Sequence, residues 1–196
     1  MARQPDFFSQ PEPSLEEVQR QALLCQRCRL AAGRRHVVFG EGPVPADLMW
    51  IGEGPGQTED ELGRPFVGRA GELLTRIIEA AGFRREEVYI TNIVMCRPPG
   101  NRTPLPDEME ACRPFLEEKL RLVAPKIAVL LGSTAAKAFL GPDTRITQVR
   151  GRWHHVGGIA VMPTYHPAAL LRDPRKKREV WEDVQKVRDL YRELMG

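Results

Sequence analysis

No apolar run in the 196 residues approaches the roughly 20 positions that a helix needs to cross a bilayer, so a helical membrane protein is excluded. The opening stretch MARQPDFFSQPEPS lacks the basic-then-apolar layout of a secretion signal, and the expected location is therefore inside the cell, in the cytoplasm. A large excess of charge is missing too. The net charge is only +3, whereas a protein that grips phosphates ordinarily carries clustered positive charge. Two local runs partly supply it: Arg145, Arg150 and Arg152, then Arg172 followed by Arg175, Lys176, Lys177 and Arg178. Asp173, Glu179, Glu182 and Asp183 interleave with the second run, a pattern that equally suits a solvated helix face. Cysteine is sparse, with four residues, and an intracellular setting disfavours pairing them as disulfides.

What is present is the composition of an ordinary globular protein, long enough for one domain with a sizeable core. Residues 1–13 are rich in proline and polar side chains and are expected to be disordered, leaving 14–196 as a single domain. Ser14 and Glu17 form an S-x-x-E capping box that predicts a helix through Leu24, running into Cys25. Short buried strands are predicted at Leu48–Ile51, Val88–Val94, Ile127–Leu131 and Ile159–Met162. Helical spacing is read over Ala70–Ala81, Asp107–Val123, a short segment ending at Gly141, and Arg175–Leu194. The stripe Val180, Trp181, Val184, Val187, Leu190 in the last of these marks a helix packed on the core. Strands alternating with helices predict an α/β fold: three layers, αβα, around a central, mainly parallel four-stranded sheet. Such sheets bind ligands beyond the carboxyl ends of their strands. Three of the four predicted ends lie beside unusual residues: the turn Gly52-Glu53-Gly54-Pro55-Gly56, Asn92, and His166.

The cysteines are Cys25, Cys28, Cys96 and Cys112. Cys25-x-x-Cys28 has the spacing of a local metal knuckle, and Cys96 and Cys112 can close a four-thiolate site across two elements. A redox C-x-x-C is the alternative, but it leaves Cys96 and Cys112 as spectators. Thiolates suit zinc and iron–sulfur alike, so spacing does not choose between them. Four cysteine ligands leave no open position for a substrate, which makes either role structural.

Four segments give the chain a family resemblance. Gly52-Glu53-Gly54-Pro55-Gly56, Gly63-Arg64-Pro65-Phe66-Val67-Gly68, Thr91-Asn92-Ile93-Val94-Met95-Cys96-Arg97-Pro98-Pro99 and His166-Pro167-Ala168 resemble, in order and spacing, the motifs of the family 4 uracil-DNA glycosylases. The cysteine pattern resembles theirs as well, and the likeness covers about residues 25–172. It implies the glycosylase fold, a monomeric repair enzyme acting on uracil-containing DNA, single- or double-stranded, and a [4Fe-4S] cluster on the four cysteines, with zinc as the alternative. In a prokaryote it implies association with the nucleoid.

The chemistry of such a reaction gives each motif a task. A base inside a duplex is out of reach and must be extruded into a pocket. The amide of Asn92 offers the donor and acceptor that match uracil O4 and N3–H. Phe66 is expected to stack on the flipped ring. By resemblance Gly52, Glu53 and Gly54 contact uracil, and glycine lets backbone approach it closely. His166 is expected to donate to uracil O2 as negative charge gathers there. Gly54 has no side chain to act as a base. Glu53 is therefore the candidate for positioning the attacking water, with Glu59 and Asp60 further along. His154 and His155 read as structural or phosphate-facing. Leu170 or Leu171 is the candidate wedge for the gap left in DNA, with Arg172 on a phosphate. The main rival reading is a non-catalytic iron–sulfur or zinc module that binds nucleic acid; it leaves Asn92, Phe66 and His166 without a task. A nucleotide-binding α/β protein would need a G-x-x-x-x-G-K-[ST] loop, which is absent, and an electron carrier would not need the recognition residues.

Overall fold

The computed structural model describes residues 12–196, so the segment expected to be disordered lies outside the described residues except for Glu12 and Pro13. One sheet holds β1 (Leu48–Gly52), β2 (Tyr89–Asn92), β3 (Ile127–Leu131), β4 (His154–Val156) and β5 (Ile159–Thr164), in the order β2-β1-β3-β5-β4. Four strands run parallel, as predicted. The sheet has a fifth, antiparallel edge strand, β4, that the four-strand expectation omits. Its three residues are too short and polar to signal a strand on their own. Gly157 and Gly158, with φ of 57° and 82°, supply the two positive-φ positions that turn β4 back onto β5.

β1 and β3 are buried along their whole length, and alternate residues serve opposite faces. Met49, Ile51, Ala128, Leu130 and Val161 pack under α1 (Leu15–Leu23), α4 (Pro106–Val123) and α5 (Ser133–Leu140), through Val18, Phe115 and Ala135. Leu48, Trp50, Ile127, Val129 and Met162 face α3 (Arg69–Ala80), α7 (Pro167–Arg172) and α8 (Lys177–Met195), through Leu74, Leu170 and Val184. This gives the three layers. Two short helices, α2 (Gln57–Leu62) and α6 (Ile146–Val149), sit in loops where no helix was predicted. Helix α1 stops at Leu23, short of Cys25, and only half of its predicted capping box forms: the Glu17 amide donates to Ser14 Oγ at 3.2 Å.

One residue of the first basic run turns inward, while Arg145 and Arg152 stay exposed. Arg150 is only 17% exposed and pairs with the fully buried Asp183 and with Glu179. The Thr164 hydroxyl donates to Asp183 Oδ2 at 2.6 Å. Arg150 is thereby withdrawn from any phosphate-binding surface; it ties α8 to the end of β5. In the second run, Arg175 pairs with Asp173 and Arg178 with Glu182, as a solvated face would.

Candidate active site

The carboxyl ends of β1, β2, β3 and β5 share one edge of the sheet. From β1 the chain passes to β2 on one side; from β3 it passes to β5 on the other, so β1 and β3 flank the topological switch point. A cavity of about 580 Å³ opens there, and its lining includes Glu53, Gly54, Phe66, Asn92, His166 and Arg172. The three residues assigned to recognition and rate therefore share one cavity.

Asn92 closes β2 opposite Gly52 of β1. It is 2% exposed, and its Oδ1 is a buried acceptor without a partner among the described residues. Buried polar atoms are nearly always paired, so an orphan on a residue that lines a cavity suits a ligand donor. Gly52 is glycine for a steric reason: a Cβ there would strike the Phe66 ring and lie 2.5 Å from Asn92 Oδ1.

Phe66 holds a left-handed backbone, φ 49°, which an aromatic residue adopts only when its surroundings enforce it. Arg85 does much of this. Its guanidinium donates to the carbonyls of Pro65 at 2.6 Å and Phe66 at 2.9 Å, and is itself held by Glu41 at 3.0 Å. Glu59 braces the same loop, accepting from the amides of Val67 at 2.9 Å and Gly68 at 2.8 Å, and from Gly56 at 3.1 Å. From the other side, Gly71 of α3 packs so closely that a Cβ would land on the Phe66 carbonyl group. Gly71→Ala should consequently cost about 1–3 kcal/mol of stability through overpacking. A urea titration checks this; an unchanged midpoint would mean that the loop is free to move aside.

His166 caps α7, its Nδ1 accepting the Ala168 amide at 3.0 Å. In the neutral ring the proton consequently sits on Nε2, which has no partner among the described residues. Burial pushes the imidazolium down to about 4, with the Arg172 charge adding to the fall and Glu59 opposing it. At neutral pH the ring is thus an uncharged donor whose N–H is available to the cavity. The Phe66 ring lies 5.6 Å from it, tilted by 31°.

The carboxylates divide sharply. Glu59 is committed to three backbone amides, and Asp60 accepts from the amides of Arg35 at 2.8 Å and His36 at 3.3 Å. Neither is available as a base. Glu53 lines the cavity with one oxygen bound by the Thr134 hydroxyl of α5.

The four cysteines lie in or against the core beneath α1 and α4. Cys96 and Cys112 are buried in the core beneath α4, and Cys25 and Cys28 pack against that core. They lie near enough to perturb one another. Burial pushes the Cys96 thiol up to about 11, Cys112 and Cys28 add to the rise, and Arg34 opposes it. Arg34 Nη1 sits 3.5 Å from Cys96 Sγ. As a donor set, four thiols near enough to influence one another's charge, with an N–H on one sulfur, suit a thiolate-ligated cluster. Among the described residues no three Cys, His, Asp or Glu side chains are drawn together as around a single ion.

The comparisons with known proteins agree with this geometry. The model of the uracil DNA glycosylase superfamily matches residues 39–185. The type-4 uracil-DNA glycosylase of Thermotoga maritima is 44% identical over 92% of this chain and 96% of its own length. Its counterpart in Sulfurisphaera tokodaii is 44% identical over 90% of this chain and 84% of its own, and that of Archaeoglobus fulgidus 38% over 90% and 93%. The chain belongs to the type-4 uracil-DNA glycosylases.

Within this type-4 fold the two candidate wedge residues separate. Leu170 is 2% exposed and belongs to the core, whereas Leu171 is 41% exposed. Arg172 lines the cavity itself, as does Lys176, whose ammonium lies 4.9 Å from the Tyr165 ring centre. His154 and His155 stand on edge strand β4, away from the pocket lining. Arg85, Gly71 and Thr134, which hold the site's shape, carry no motif of their own in the sequence. Membership of the type-4 glycosylases is visible in the residues that meet the cavity, and their supports are visible only in three dimensions. No helix among the described residues is long and apolar enough to cross a membrane.

Proposed function

We propose that this chain extrudes uracil from DNA, hydrolyses its N-glycosidic bond and leaves an abasic site, as a monofunctional and monomeric enzyme of base excision repair inside the cell. The observation that carries this reading is the unpaired, buried Oδ1 of Asn92 in the same cavity as the free Nε2–H of His166. Uracil N3–H supplies the donor that Oδ1 lacks, and the amide nitrogen of Asn92 serves uracil O4. As the glycosidic bond breaks, its electron pair goes to the base and negative charge collects at O2. A preorganised neutral N–H aimed there stabilises that charge without being repelled in the ground state. Phe66, fixed by Arg85 and Gly71, offers a ring face to the base, and Glu53, steadied by Thr134, positions water for the oxocarbenium-like sugar. Leu171 fills the gap in the stack, and Arg172 with Lys176 meets phosphate.

Cys25, Cys28, Cys96 and Cys112 hold a [4Fe-4S] cluster in this reading. The cluster acts as a structural clasp joining the end of α1, the segment after β2 and helix α4. The type-4 relatives support it.

Incubation with a uracil-containing oligonucleotide should yield free uracil and an alkali-labile abasic site, on single- and double-stranded substrate. A mobility shift without base release would instead identify a binding module. Iron and acid-labile sulfide should be recovered from the protein, and zinc without iron would remove the cluster from the account.

A further inference from the structure

Uracil release makes no use of Lys119, yet this lysine is buried as deeply as any core residue, at 1% exposure. It stands on α4 two helical turns beyond Cys112. Its ammonium donates to the Thr91 hydroxyl at 3.1 Å and lies 4.3 Å from the centre of the Phe39 ring. Among the described residues no carboxylate comes within ion-pair distance of it; the anionic field that reaches it is that of Cys112. A buried ammonium resting on one hydroxyl and one ring face is costly, and an apolar residue in its place should be no loss to the fold. Something must offset that cost.

We propose that Lys119 is the built-in counter-charge of the four-cysteine site. Its positive charge balances the negative charge that the thiolates carry once they ligate a cluster. Four thiolates around an iron–sulfur core leave net negative charge in a low-dielectric interior, where a buried ammonium two turns along the same helix as Cys112 is only weakly screened. Arg34, with its N–H on Cys96 Sγ at 3.5 Å, supplies a second cation from the solvent side. The same lysine bonds Thr91, the residue before Asn92, so the balanced charge also seats the strand that reads the base. This assignment rests on the cluster reading given above.

The test compares the purified holoprotein with Lys119→Met and Lys119→Gln. Met matches the length without charge; Gln also keeps an N–H for Thr91. In the holoproteins, iron release to a chelator, followed by the loss of visible absorbance, should be about tenfold faster in both variants. The reduced cluster carries one more negative charge than the oxidised one, so loss of the nearby ammonium should also lower the cluster's reduction potential. Stability should change sign with the cofactor. With the cluster in place Lys119→Met should unfold at lower denaturant than the parent, and after cluster removal at higher denaturant. A variant isolated without iron under conditions in which the parent retains it would also support the assignment. Equal iron release and the same stability order in both states would overturn it. A parent protein lacking iron and sulfide would overturn the cluster reading itself, which is a different failure.

Discussion

Replacing His166 with alanine should slow uracil release about 10²–10³-fold while leaving the KM for substrate DNA close to its original value. The argument begins with the cap. The Ala168 amide occupies Nδ1 at 3.0 Å, so the ring has one arrangement in which it can serve the cavity, with its proton on Nε2. That proton meets little charge in the bound substrate and much in the departing base. Its loss therefore falls on kcat. Single-turnover release from a uracil oligonucleotide measures this directly, and a rate within threefold of the parent would refute the role given to His166. Nδ1 also caps α7, so a stability measurement on the variant belongs beside the rate.

The same geometry fixes a pH dependence. The working ring is neutral, and its protonation is held down to about 4 against an ordinary 6.5. Turnover should accordingly show no inflection from this group between about pH 5 and 8, and should fall as pH drops through about 4, where protonation of Nδ1 breaks the cap. For stability the sign is equally definite. Between about 4 and 6.5 the unfolded chain binds more protons at this site than the folded one, so folding stability rises with pH across that window. The gain is complete above 6.5. An inflection in turnover near the ordinary histidine value would mean that the ring is solvated rather than enclosed.

How much of this was legible beforehand depends on the scale of the signal. The buried strands Leu48–Ile51 and Ile127–Leu131 announce themselves as short apolar runs, and the structure places both within the central sheet. Asn92, Phe66, His166 and the Gly52 turn were legible through the family motifs they belong to; taken singly, a strand asparagine and a glycine turn have ordinary explanations. Arg85 was not. An arginine in a charged loop has no local pattern that distinguishes solvation from a clamp on the Phe66 carbonyl. Arg150 misled for the same reason: a basic run says nothing of a buried Asp183 on a helix 33 positions away. Leu170 and Leu171 are chemically identical neighbours, and only the packing of α7 sends one to the core and the other to solvent. Strand β4 depends on its hairpin rather than on its own three residues. Lys119 reads in sequence as one more polar position of α4; its burial against Thr91 and Phe39 shows only in three dimensions.

The remaining large effect concerns which base is accepted. The Asn92→Ala variant should lose about 10²–10⁴ in kcat/KM on uracil, the worth of two hydrogen bonds at about 1–3 kcal/mol each. Parent enzyme should reject cytosine by about 10⁴ or more, because cytosine offers an acceptor where Oδ1 needs a donor and a donor where the amide N–H needs an acceptor. Alanine removes the penalty along with the reward, so the ratio between the two bases should collapse much further than the residual rate on cytosine changes. Asn92→Asp separates the two bonds. It keeps an acceptor for N3–H but turns the donor for O4 into a second acceptor, so its rate on uracil should fall at least as far as that of alanine. Gly52 and Phe66 crowd this position, and both replacements are no larger than asparagine, which limits any effect through packing. Rates on matched uracil and cytosine oligonucleotides give all of these values. A parent-like preference for uracil in Asn92→Ala would mean that the orphan oxygen at the end of β2 is not what reads the base.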